Sequence, residues 1–167
     1  MGKRSVRENK NIYFESREEA GLTRAKASEL IGTISESRLE KMETGKTLIY
    51  PEDVVDMAAA YKKPELCNYY CTHECRIGKD TVPEVQPSSL SEIVLGMLSA
   101  LNALESQKDR LIDITADGVI SDDELPDFAK IQKELNHIDK TVESLKLWVS
   151  NTINEGKIDK EKLDSLQ

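Results

Sequence analysis

Three glycines set the tempo of the first half of this chain. Gly21, Gly32 and Gly45 fall at the ends of short apolar-periodic runs. Glycine takes the left-handed backbone that closes a helix at almost no cost. Two good N-cap residues stand just after the first two glycines, Thr23 and Ser35. The spacing therefore predicts helices over 11–20, from Thr23 to about Ile31, and from Ser35 to about Thr44. Pro51 suits the first turn of a fourth helix carrying Val54, Val55, Met57, Ala58 and Tyr61. Pro64 opens a fifth, with Leu66 and Cys67. Five short helices in so little chain leave room only for a compact all-α domain.

The second half has a different pattern. Leu90, Val94, Met97, Leu101, Leu104 and Leu111 follow a heptad seam, and so do Phe128, Ile131, Leu135, Ile138, Val142, Leu145 and Val149. A connector at 113–121 lies between the seams. Two seams and one short connector predict an antiparallel helical hairpin. Two helices alone leave apolar flanks uncovered, so the hairpin is expected to dimerise or to fold back on the first domain. Residues 76–89 contain Gly78, Pro83 and Pro87 and read as a linker or extended arm. The expected division is a five-helix domain over 1–66, a cysteine-containing junction over 67–89, and a self-association hairpin with a charged tail over 90–167.

Charge is unevenly divided between these parts. The net charge is −8. Residues 1–66 carry 12 Lys+Arg and 12 Asp+Glu, whereas residues 67–167 carry 11 and 19. Only the first part is suited to sit against phosphate. No apolar run approaches a membrane span. The opening MGKRSVRENKN lacks an apolar core, so no signal peptide is expected and a cytoplasmic location follows. Thiols are then expected reduced or metal-bound.

Segment 17–45 resembles the Xre/Cro-type helix-turn-helix family, the group that includes phage repressors. The matching residues are Arg17 to Thr23, then Ala27 to Gly32, then Ile34-Ser35, then Leu39 to Lys46. The likeness runs over roughly 10–66, about a third of the chain. It implies a double-stranded DNA partner, with the helix begun by Ser35 entering the major groove. Its N-terminal residues Ser35, Glu36, Ser37 and Arg38 then face base edges. Arg38 pairs with guanine in this reading, and Glu36 accepts from cytosine N4. Lys41 and Lys46 hold phosphates, and Thr23 and Arg24 bring N–H groups and a guanidinium to the backbone. The chain departs from the family at Arg24, where glutamine is common, and at Glu36 and Glu40, which turn negative charge toward the groove. The implied function is a dimeric transcriptional repressor without enzymatic activity. The rival readings are a protein-interaction scaffold, antitoxin-like or partner-binding, and a cysteine-based metal or redox sensor.

Two local features carry other chemistry. CNYYCTHEC places Cys67, Cys71 and Cys75 four residues apart, with His73 among them. Zinc or an iron–sulfur cluster there needs the helix to break near Cys71. Otherwise the thiols pack as small apolar groups. DITADGVISDDE resembles a calcium-binding EF-hand loop, with Asp113, Thr115, Asp117 and Glu124 at ligand positions. Alternatively Gly118 ends one helix, and Ser121 with Glu124 forms a capping box for the next.

Overall fold

The computed structural model describes residues 10–166, and every element among them is helical. The chain divides into two compact units, one ending at Val82 and the other beginning at Pro83.

The first unit holds α1 (Ile12–Glu19), α2 (Arg24–Ile31), α3 (Glu36–Glu43), α4 (Pro51–Tyr61), α5 (Glu65–His73) and α6 (Gly78–Thr81). The punctuation expected from sequence is in place. The side chains of Asn11, Thr23 and Ser35 each accept a hydrogen bond from the backbone N–H three residues on. Gly21, Gly32 and Gly45 have φ of +70°, +74° and +68°. The core gathers Tyr13, Ala27, Ile34, Leu39, Met42, Val54, Met57, Tyr61 and Leu66, all 3% exposed or less. Each large apolar side chain of that set stabilises the fold by about 1.5–3 kcal/mol. Tyr13 also donates to Glu74 Oε1 at 2.8 Å. Burial, and then Glu74, push its pKa well above the ordinary phenol value.

The second unit holds α7 (Leu90–Glu105), α8 (Lys108–Ile114), α9 (Leu125–Asn154) and α10 (Lys160–Asp164). Gly96 of α7 packs beside Thr141, and Arg110 of α8 pairs with Asp127 at 2.9 Å. As one strand of the hairpin advances the other retreats, so α7–α8 runs antiparallel to α9. Ser89 and Glu92 form a reciprocal capping box at the start of α7. Val85 is buried, and Pro87 and Ser88 line a cavity with Trp148 and Thr152. The stretch expected as a linker or extended arm is therefore partly structural: 78–81 is helical, and 85–88 lies on the second unit.

The register of the first seam differs from expectation. Its helix stops at Glu105 and restarts at Lys108. The face of α7 turned to α9 is Ile93, Gly96, Met97, Ala100, Ala103 and Leu104, whereas Leu90, Val94 and Leu101 are 40–45% exposed. The small residues Gly96 and Ala100 set this register, because they let the two backbones approach closely.

Candidate nucleic-acid interface

The pair α2–α3 is fixed to the rest of its unit by polar and apolar contacts on one side. Within the connecting turn, the Ser28 hydroxyl donates to the Ile34 carbonyl at 2.8 Å, and the Ile34 side chain is buried. On α3, Leu39, Met42 and Glu43 face inward. Glu43 is 2% exposed, and both its carboxyl oxygens are engaged. It accepts from Arg17 Nε at 2.5 Å and Arg17 Nη2 at 3.1 Å, and from Arg24 Nε at 2.7 Å. Burial works against the Arg17 charge. The hydrogen bonds to Glu43 and Glu18 outweigh it and hold that guanidinium above its ordinary pKa. Arg17 and Arg24 also lie over the Phe14 ring.

The opposite side of α3 is open. Ser35, Glu36, Ser37, Glu40 and Lys41 are exposed, as is Lys46 in the following loop. Ser35 is the N-cap, its Oγ accepting from Arg38 N at 3.3 Å. The exposed first turn of α3 can therefore offer two hydroxyls and one carboxylate to a groove. Lys41 and Lys46 make no ion pair among the described residues, and their ammonium groups suit phosphate.

Two of the expected DNA contacts are otherwise engaged. Arg24 spends its Nε on Glu43 and its face on Phe14, so it braces the domain at the N-terminus of α2. Arg38 donates from Nη2 to Asp53 Oδ2 at 2.6 Å and lies 5.7 Å from the Tyr50 ring centroid. The same Asp53 oxygen accepts the Tyr50 N–H at 3.0 Å, at the start of α4. The hydrogen bond to Asp53 raises the Arg38 pKa, so its charge is secure but offset. Asp53 and Tyr50 are thus neighbours of the reading face that sequence reasoning passed over. The Tyr-Pro-Glu-Asp start of α4 was legible as a helix opening, but its reach across to α3 was not.

The cysteine cluster does not assemble as a metal site. The α5 helix continues through Cys67 and Cys71 to His73, with no break near Cys71. His73 stacks on the Tyr69 ring at 4.3 Å between centroids and 10° between planes. Cys67 packs against the apolar core, and Cys75 Sγ lies 3.4 Å from the Gly78 N–H. No group of three or more His, Cys, Asp or Glu among the described residues could hold a metal ion. Burial pushes the Cys67 and Cys71 thiols up, so both are poor thiolates at neutral pH. The set Cys67, Cys71, His73 and Cys75 is a packing feature of the α5–α6 corner.

The calcium-like loop is likewise dismantled by local bonds. Asp113 lies within α8, and Thr115 donates its hydroxyl back to the Leu111 carbonyl at 2.9 Å. Asp117 accepts from Val119 N at 3.0 Å. Glu124 Oε2 accepts from both Ser121 N and Ser121 Oγ, at 3.0 and 2.6 Å. The capping alternative holds in its Glu124 half, and the four acidic and hydroxyl groups do not converge.

An α2–turn–α3 pair braced from within, with an exposed N-terminus on its second helix, defines a helix-turn-helix domain. Residues 15–72 match the family model described as a helix-turn-helix domain. The N-terminal domain is accordingly of the helix-turn-helix class, of the Xre-like type, within an all-α chain. No curated protein and no solved structure matches the chain. Such domains mark DNA-binding regulators in general and are typically non-enzymatic. No helix among the described residues is long and apolar enough to cross a membrane.

Proposed function

We propose that this protein is a sequence-specific DNA-binding transcriptional regulator that acts as a dimeric repressor. The observation that carries this reading is the exposed N-terminal turn of α3, set on a rigid internal brace by Glu43, Arg17 and Arg24. In the groove, Ser37 and Glu36 face base edges, Glu36 accepting from cytosine N4. Lys41 and Lys46 sit on phosphates and set register. Arg38 reaches guanine by exchanging Asp53 for the base, so it reads at a cost that the other residues do not incur.

The second reading is a protein-interaction scaffold built on the same helices. It is favoured by Glu36 and Glu40 on the open face, and by the pairing of Arg24, Lys26 and Arg38 with Glu43, Glu29 and Asp53. Substitution separates the two. Under the DNA reading, Lys46→Ala weakens all duplexes alike and lowers the salt slope by about one. Arg38→Ala or Ser37→Ala changes which duplex is preferred, by about 1–3 kcal/mol per lost base contact. Binding that ignores all three substitutions removes α3 from the groove.

A further inference from the structure

The α7 helix is apolar on both sides. Between Ile93 and Leu104 it has no charged residue, and over its whole length it has no Lys or Arg. Its small residues Gly96 and Ala100 face α9, where a Cβ on Gly96 would already stand 3.3 Å from Thr141 Cγ2. Five of its large residues point the other way. Leu90, Val94, Leu95, Leu98 and Leu101 are 40–68% exposed. They recur at 4, 1, 3 and 3 residues, which places them on one continuous stripe. One apolar face meets α9, and an apolar stripe left open on the other side marks an interaction surface.

We infer that the outward stripe of α7 is a homodimer interface, packed against the same stripe of a second copy of this chain. Three observations select that occupant. The stripe leaves on the order of 400 Å² of surface exposed per copy, within the range in which an exposed patch marks an interaction site. Paired across a two-fold axis, it approaches the roughly 1,000 Å² that a specific interface needs. The region from 67 onward is strongly acidic, yet the stripe carries no acid at its centre. A two-fold pairing therefore sets no like charges face to face, and a basic partner has nothing there to hold. A membrane surface is disfavoured because interfacial helices carry Lys or Arg beside the apolar face, and α7 has neither.

This deepens the dimeric reading above, and its test uses no DNA, so a failure of self-association and a failure of DNA reading are seen separately. Sedimentation equilibrium of the full chain from 1 to 100 μM should give a dimer. The double variant Leu95→Glu, Leu98→Glu should weaken it at least 100-fold with the far-ultraviolet helical signal unchanged. Leu30→Glu, an equally exposed leucine on α2, should leave the dimer intact. Hydrogen exchange on the unaltered chain reads the same surface without a substitution. Amides 93–104 should slow as protein concentration rises. A wild-type monomer at 100 μM, a dimer indifferent to the double variant, or exchange at 93–104 independent of concentration each overturns the proposal.

Discussion

The two units of this chain bury their apolar residues in opposite ways. The first closes around a core of large side chains, with Tyr13, Leu39, Met42, Met57 and Leu66 at 0–1% exposure. Its short helices meet at angles set by glycine turns and caps. The second aligns long helices, with the small residues Gly96 and Ala100 on the face of α7 turned to α9. The first therefore closes around one core, and its Arg17, Arg24 and Arg38 are turned to internal ion pairs. The second is left with a row of leucines outside. The proposed division of labour follows this difference: a helix-turn-helix head to meet DNA, and a hairpin whose outward leucines would meet a second copy.

The largest predicted effect strikes the brace of the first unit. Glu43→Ala strips a buried partner from Arg17 and from Arg24. Losing one member of a buried pair costs about 3–5 kcal/mol. Denaturant titration should show that loss, and DNA binding should fall with it because the pose of α3 depends on Glu43. A change below 1 kcal/mol would mean that the two units are braced alike, by packing alone.

Glycine substitution sharpens the contrast at a smaller scale. A Cβ at Gly78 would stand 2.3 Å from the Cys71 carbonyl oxygen, which belongs to backbone. Gly78→Ala should cost about 1–3 kcal/mol, as overpacking does. At Gly96 the neighbour is a side-chain methyl at 3.3 Å, and alanine also gains helix propensity there of about 0.5–1 kcal/mol. Gly96→Ala should therefore change stability by less than about 1 kcal/mol in either direction. If the order of the two variants were reversed, the helix spacing assigned to the second unit would be wrong.

Asp53→Asn probes the reading head without touching its core. The amide still accepts the Tyr50 N–H, but it no longer neutralises Arg38. Fluorescence anisotropy at low salt should show DNA binding up to about tenfold tighter, with a steeper salt slope, as expected for one cation returned to the phosphate field. Unchanged affinity would make the Arg38–Asp53 pair purely structural.

The smallest effect belongs to the second unit. Hydrogen bonds from Ser89 N and Oγ hold the Glu92 pKa below its ordinary value. Its capping contribution is thus present above the unfolded-state value of about 4.3 and lost as pH falls through the lower folded value. Helical signal followed from pH 6 to 3 should show a slight acid-side loss that Glu92→Gln removes.

Helix boundaries in the first unit were legible because they are local. Thr23 and Ser35 cap with their own side chains, and Gly21, Gly32 and Gly45 close the turns, so neighbouring residues decide the outcome. What sequence could not supply was the tertiary part. Arg38 reads as a base contact until Asp53, fifteen residues on, is brought beside it. Cys67, Cys71 and Cys75 read either as ligands or as small apolar groups until α5 proves continuous. In the second unit the heptad pattern gave the hairpin but misplaced its inner face. The leucines mark an apolar stripe wherever they fall, and Gly96 and Ala100 decide which stripe the partner helix can reach.

The most direct test of the central claim is selection of bound fragments from sheared genomic DNA by the full-length protein, at two salt concentrations. A dimeric reader recovers an inverted repeat whose half-sites lie about one or two helical turns apart, with recovery lost at high salt. Nothing above background at low salt would contradict it and turn the open face of α3, with Glu36 and Glu40, toward a protein partner.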